Sequence, residues 1–263
     1  GIEKLAHPGI AGLIAQVLMA VLLAIGSWRL VFWALLAASL LSALLIHFAV
    51  PETLSEANRQ RFDLTSFLRG SRSLLTNRSF LVMTFLAGFA FASFFVFIAS
   101  ASFVYIGQFG LTATQFSLAF AVNAIGFFVA SQFSATIAVR VGTLRMIRRA
   151  TIGFSLATFA GFGLALAGLA SLPVTMTTLF IGNMFLGVLM PSAQVQALEE
   201  HGAIAGLAAS LGGTLQMLAA GALVVAAGPF LDGTVTPMLG AIALCGALVL
   251  ILSRMMPRQA ARA

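Results

Sequence analysis

The sequence predicts an all-α membrane protein with eight transmembrane helices. Three observations carry that reading: long stretches without a charged side chain, stretch lengths that match one or two bilayer crossings, and basic residues gathered between them. No Asp, Glu, Lys or Arg occurs from Ser79 to Val139, from Ala150 to Leu198 or from His201 to Leu231. Leu30 to Pro51 and Gly233 to Ser253 are charge-free as well. A hydrocarbon core about 30 Å thick takes about 20 apolar helical residues to cross. A central Asp, Lys or Arg costs roughly 2.5–3.5 kcal/mol on insertion scales, so spans exclude charge. A soluble chain of 263 residues would show charges every few positions on its outer faces.

The first span is expected from Ile10 to Gly26 and the second from Leu30 to Val50. Ser79 to Val139 is too long for one crossing and divides near Gly107-Gln108-Phe109-Gly110, where two glycines and a polar residue favour a turn. Ala150 to Leu198 divides near Ser171-Leu172-Pro173. Gly206 to Gly228 and Pro237 to Ser253 complete the set. With both ends placed in the cytoplasm, every basic residue except Arg29 falls on the inner side. That is the bias expected of loops at the cytoplasmic face of an inner membrane. The net charge of +7 therefore reads as orientation in a lipid bilayer, and no nucleic-acid partner is expected.

The loop from Pro51 to Arg78 carries Leu64, Phe67, Leu68, Leu74 and Leu75 at helical spacing, with Arg61, Arg69 and Arg72 between them and Asp63 as a helix cap. It reads as an amphipathic helix on the inner membrane surface. The competing reading is a solvated connector with a partly helical centre.

Enzyme constellations are absent: there is no HExxH, GxSxG, Walker loop or paired Cys motif. Cys245 stands alone inside the last apolar run and reads as a packing residue, so neither a disulfide nor a metal centre is expected, and no cofactor. His7, His47 and His201 fall near span ends and read as interface residues. Asn77-Arg78-Ser79 matches a glycosylation acceptor by chance, since it lies in the Arg-rich inner loop.

What remains is the material of a transport pathway. Gln16, Asn123, Gln132, Asn183, Gln194, Gln196 and Gln216 stand isolated within apolar spans. Polar groups at membrane depth are costly unless they face protein or a cavity. Asn123, Gln132, Asn183 and Gln216 can line a substrate cavity, or they can form interhelical hydrogen bonds worth about 0.6–2 kcal/mol each. The third span is rich in Phe (Phe80, Phe85, Phe89, Phe91, Phe94, Phe95 and Phe97), either to hold apolar cargo or for packing and lipid contact. In the seventh span Ala205, Ala209 and Gly213 recur every four residues, as do Gly206, Ser210 and Thr214. Small residues at that spacing allow close helix approach. Pro191 lies inside the sixth span and should kink it.

Three stretches resemble the drug-exporting branch of the major facilitator superfamily, specifically the Bcr/CflA (bicyclomycin and chloramphenicol resistance) drug:proton antiporters. They are Ser27-Trp28-Arg29-Leu30-Val31-Phe32-Trp33 with Pro51-Glu52-Thr53-Leu54; Ser102-Phe103-Val104-Tyr105-Ile106 with Phe120-Ala121-Val122-Asn123; and Ala205 to Leu211 with Gly213 and Gln216. Ser134 to Arg149, with Arg140, Gly142, Arg145 and Arg148, resembles a degenerate second copy of the family's loop motif. Gln16, Met19 and Ala20 depart from the Pro-x-x-Gly-Gly-like ending of the family's antiporter motif. The resemblance implies the last eight spans of a twelve-span transporter. Residues 1–50 would be the last two spans of the N-terminal half and 51–78 the central cytoplasmic loop. Residues 79–253 would be the six-span C-terminal half, and 254–263 a basic cytoplasmic tail. A chain that begins with Gly1 is then expected to be a fragment, partnered by the first four spans of the same protein. The implied activity is proton-driven efflux of small amphipathic compounds by alternating access. A metabolite transporter of the same superfamily, or a truncated membrane protein without transport activity, is the alternative.

Overall fold

The computed structural model describes residues 28–49, 63–199 and 201–256, and every regular element among them is helical. The expected first span, Ile10–Gly26, lies outside the described residues, as do His7, Gln16, Met19, Ala20, Pro51 to Leu54, Arg59, Arg61, Arg258 and Arg262. Seven helices among the described residues are long and apolar enough to cross a membrane, and an eighth, shorter helix is amphipathic. The chain divides into two compact units, one ending at Phe62 and the other beginning at Asp63.

In the first unit, α1 (Trp28–Ala49) is the expected second span, apolar on every side, with His47 in its last turn.

The second unit opens with α2 (Leu64–Thr76). Asp63 caps it as expected: its carboxylate accepts from Thr65 N (3.2 Å), Ser66 N (3.0 Å) and Ser66 Oγ (2.9 Å). These bonds satisfy amide donors that have no partner within the helix. Only Leu74 of the apolar series is buried, while Leu64, Phe67, Leu68 and Leu75 are exposed. Asn77 ends α2 and caps α3 (Arg78–Ser102), its Oδ1 accepting from Phe80 N at 3.0 Å. The acceptor-like tripeptide thus has a structural use for its Asn.

α3 is the most buried span and packs against α6, α7 and α8. Its small residues Ala87, Gly88, Ala90, Ala92 and Ser93 permit that closeness. It continues into a π-helical turn, Phe103–Gln108, and the chain reverses at Gly110 with φ +69°, a region that glycine enters without a Cβ clash. The expected break is therefore present, but wider turns precede it. α4 (Ala113–Val141) follows with a reciprocal Thr112–Gln115 capping box.

Gly142, at φ 89°, turns the chain directly into α5 (Thr143–Leu166). This corrects one expectation. Arg145, Arg148 and Arg149 lie in the first two turns of α5 and not in a loop, because one glycine suffices to reverse the chain. Gly168 (φ +73°) and Pro173 frame the next turn into α6 (Leu172–Glu199), close to the expected break. α7 (Ala205–Ala227) and α8 (Val235–Arg254) complete the bundle.

Two apolar cores fill it. One, towards the basic end, holds Leu74, Phe80, Met83, Ile147, Leu189 and Met256. The other holds Val96, Phe97, Tyr105, Val235, Leu239 and Cys245. Polar bonds close both ends. At the basic end Asn77 Nδ2 meets His201 Nε2 at 3.3 Å, while His201 Nδ1 meets the Ala197 carbonyl at 3.2 Å. A carbonyl only accepts, so Nδ1 carries the proton and Nε2 accepts from Asn77. At the other end Gln108 Oε1 accepts from Val235 N at 2.6 Å. Gln108 thereby serves an N-terminal donor of α8 that Thr234, the N-cap residue, does not reach.

Candidate functional site

α4 and α6 run parallel through the bundle, and their contact joins two pairs of buried polar side chains, Asn123 with Asn183 and Ser134 with Ser192. Asn183 Nδ2 donates to Asn123 Oδ1 at 3.1 Å, and Asn123 Nδ2 donates to the Ala119 carbonyl at 3.1 Å. Both are buried, at 2% and 7% exposure for Asn123 and Asn183. Apolar surroundings make these neutral bonds worth keeping, since an unpaired amide there would lose its hydration without replacement. The buried hydroxyl of Tyr105 lies beside Asn123 without completing a hydrogen bond. Phe97, Phe109 and Phe116 surround the Tyr105 ring with centroids 6.0–6.5 Å away.

Further along, α4 touches the backbone of α6. A Cβ on Gly187 would run into the Phe127 carbonyl. Four residues on is Pro191, which has no N–H to give the Gly187 carbonyl, yet α6 continues through it to Glu199. Ser192 Oγ donates to the Val188 carbonyl at 2.7 Å and pairs with Ser134 Oγ at 2.8 Å. The proline turn is thus fastened to α4.

Asn183 also borders a cavity of about 20 Å³ between α3, α5, α6 and α8, with Ser93, Thr158 and Thr178 on its walls. That volume suits one water, not a drug-sized molecule. Gln216 is buried on α7 and accepts from Gln194 Nε2 at 3.2 Å. Gln194 stands three helical turns from Asn183, roughly 16 Å along α6. The expected cavity residues therefore form two separated pairs, Asn123–Asn183 and Gln194–Gln216. Gln132 joins neither and is exposed on α4. Phe89 is half-buried, stacked on Phe85 at 6.4 Å and packed against both cores.

The predicted small-residue stripe on α7 does not pack against its neighbours within the described bundle. Nothing among the described residues lies within 4 Å of a Cβ placed on Gly213, and Ala209 is exposed. The face that meets α3 is one position round, with Ala208, Gly212, Gln216 and Ala220 buried. There a Cβ on Gly88 would lie 3.1 Å from Gln216 Cα. Periodicity pointed to the stripes through Ala205 and Gly206, and nothing local marked the third one, from Ala208 to Ala220, as the face that meets α3.

The family model described as Major Facilitator Superfamily matches residues 6–225. The chain belongs to the major facilitator superfamily. Among curated relatives within it, a bicyclomycin resistance protein homolog from Haemophilus influenzae is 30% identical over 244 residues, 90% of this chain and 59% of that protein. The uncharacterized MFS-type transporter YdgK of Bacillus subtilis is 27% identical over 201 residues, 75% of this chain and 49% of that protein. The chain thus spans 59% and 49% of the lengths of these two superfamily relatives. Similarity to a bicyclomycin resistance homolog agrees with the Bcr/CflA resemblance carried by the Trp28, Tyr105 and Ala205 stretches. As a superfamily protein with several membrane-spanning helices, this chain is a multi-pass membrane protein.

Sequence reading missed the partners that give this superfamily bundle its polar joints. Ser134 and Ser192 are common small residues in apolar runs, and only the α4–α6 register brings them together. Asn77 and His201, 124 positions apart, carry no local signal either.

Proposed function

We propose that this chain works in the inner membrane as part of a twelve-span transporter that expels small amphipathic compounds by alternating access, driven by protons. The carrying observation is an array of uncharged polar side chains, Asn123, Asn183 and Gln216, buried in helices without an acidic or basic residue along their cores. Such groups can hydrogen-bond a neutral or amphipathic solute without the cost of burying charge. Similarity to a bicyclomycin resistance homolog over most of the chain supports a drug-like cargo. In this reading 79–253 form one half of the transporter and 51–78 the loop between halves. Gln132 on α4 and Gly213 on α7, left open within the described bundle, are the candidates for contact with solute or with other parts of the transporter as it alternates access. Both chain ends are placed in the cytoplasm, a reading that the bias of basic residues supports.

A coupling acid must change protonation as each side is exposed in turn, so it should face the bundle interior. Asp63, Glu199 and Asp232 are all exposed at helix ends, and by the sequence reading Glu3, Glu52, Glu56 and Glu200 also fall in loops or at span ends. Coupling is therefore assigned to other spans of the full-length protein. The test is drug efflux in vesicles from the full-length product of the gene, under an imposed pH gradient. Protection of a pump-deficient strain, with gradient-driven efflux retained in Asp63→Asn, Glu199→Gln, Asp232→Asn and His47→Gln, is expected. A variant in this set that still binds drug but ignores the gradient would move coupling into this chain. Protection by no antibiotic, with flux of a metabolite instead, would replace the efflux reading.

A further inference from the structure

The seam between α5 and α8 steps evenly along two antiparallel helices. A Cβ on Gly240 would meet the Phe162 ring at 2.9 Å, and one on Gly161 would lie 3.8 Å from Leu239. Ser155 Oγ donates to the Gly246 carbonyl at 2.8 Å. The same register brings Ile152 level with Leu250, and Arg148 level with Arg254. At that end the seam opens into a groove of about 500 Å³ lined by Arg148, Ile152, Leu250, Ser253, Arg254 and Met256. Both arginines are exposed, and neither pairs with a carboxylate among the described residues. One helical turn deeper, roughly 6 Å, both walls become apolar at Ile152 and Leu250. Exposed Leu156 continues that apolar line down α5.

We propose that this groove binds an anionic phospholipid, with the phosphate between Arg148 and Arg254 and an acyl chain against Ile152, Leu250 and Leu156. Guanidinium groups match phosphate oxygens in planar, bidentate geometry. Basic pockets between membrane helices at this level suit lipid headgroups. A free phosphate would gain nothing from the apolar floor. A zwitterionic lipid brings an ammonium group that the two arginines repel. The site is separate from the polar pairs of α4, α6 and α7 and takes a different class of ligand.

The test uses the chain with Trp28→Phe, Trp33→Phe and Leu156→Trp, reconstituted in phosphatidylcholine vesicles. Acyl-brominated phosphatidylglycerol or acyl-brominated phosphatidylcholine is then added at equal mole fraction, and fluorescence quenching is read. Two arginines should favour the anionic lipid at the site by roughly tenfold or more, so phosphatidylglycerol should quench more strongly at low mole fraction. Arg148→Gln with Arg254→Gln should abolish the preference, while Arg72→Gln with Arg149→Gln, an equal loss of charge outside the groove, should keep it. Quenching by the brominated phosphatidylcholine, alike in all variants, reports folded insertion. Thermal stabilisation of the unsubstituted chain by phosphatidylglycerol over phosphatidylcholine is a second readout that needs no variant. Equal quenching by the two lipids overturns the proposal. So does a preference that survives the groove substitutions, falls equally in the control pair, or is removed by millimolar inorganic phosphate.

Discussion

Gly187→Ala adds one methyl group at the tightest helix contact, and its cost follows from the surroundings. The new carbon would run into the Phe127 carbonyl and lie 3.1 Å from its carbon and 3.2 Å from Ala130 Cβ. A backbone carbonyl in mid-helix cannot swing aside, so α4 and α6 must part by on the order of 1 Å, about the overlap to be relieved. Overpacking costs about 1–3 kcal/mol, and with a backbone carbonyl as the obstacle this contact falls in the upper part, about 2–3 kcal/mol. Alanine returns up to about 1 kcal/mol of helix propensity, leaving a net loss of about 1–2 kcal/mol. Gly213→Ala is the internal control. With nothing within 4 Å of its Cβ among the described residues, it keeps the propensity gain and should stabilise by about 0.5–1 kcal/mol. At about 2–4 °C per kcal/mol for a chain of this size, Gly187→Ala should melt about 2–8 °C lower and Gly213→Ala about 1–4 °C higher. Cys245 has 0% exposure, so its reaction with a thiol-sensitive dye during heating in detergent reads the opening of the bundle. A Gly187→Ala chain as stable as the unsubstituted one, or equal shifts in both variants, would refute the reasoning.

Three further outcomes are expected. In a double-mutant cycle of Asn123→Ala and Asn183→Ala, unfolding free energies should show a coupling of about 0.6–1.7 kcal/mol; strictly additive losses would deny the bond an energetic role. Hydrogen bonds from the Ser66 hydroxyl, then from the Ser66 and Thr65 amides, hold the Asp63 carboxyl below its ordinary 3.8. Its capping is therefore complete above that ordinary value and is lost as pH falls through the lower, folded one. Amide exchange at Thr65 and Ser66, corrected for intrinsic rates, should stay protected down to the carboxylate range and rise below it, whereas Asp63→Asn should remove the transition. Finally, in a Cys245→Ser background, Arg69→Cys and Arg145→Cys should resist an impermeant thiol reagent added to intact cells, and Gln108→Cys and Asp232→Cys should react. External labelling at Arg145→Cys would overturn the orientation.

Element existence was legible because the bilayer imposes one simple rule, and the runs without charge mark the spans almost directly. The Asp63 cap and the turns near Gly110 and Pro173 were equally readable, since each depends on a few neighbouring residues. The extent of α5 was not. Its arginines look like loop residues by charge, yet Gly142 ends one helix and starts the next without any loop to hold them. Site geometry was legible only as a list of residues. Which polar groups pair depends on helix register: Asn123 finds Asn183, Gln216 finds Gln194, and Gln132 finds neither. The same dependence decides that Gly212, and not Gly213, meets α3.

The bonds at the two mouths of the bundle have a mechanical consequence. Asn77 ties the start of α3 to His201 ahead of α7, and Gln108 ties the far end of the same span to the start of α8. Twisting one of these helices against the other two would have to break a polar bond at one rim or the other, in addition to disturbing the packing between them. These three helices are therefore braced at both rims to turn together. A load applied at one rim would reach the other with little lost to deformation among them, and any hinge has to be sought in segments other than these three helices.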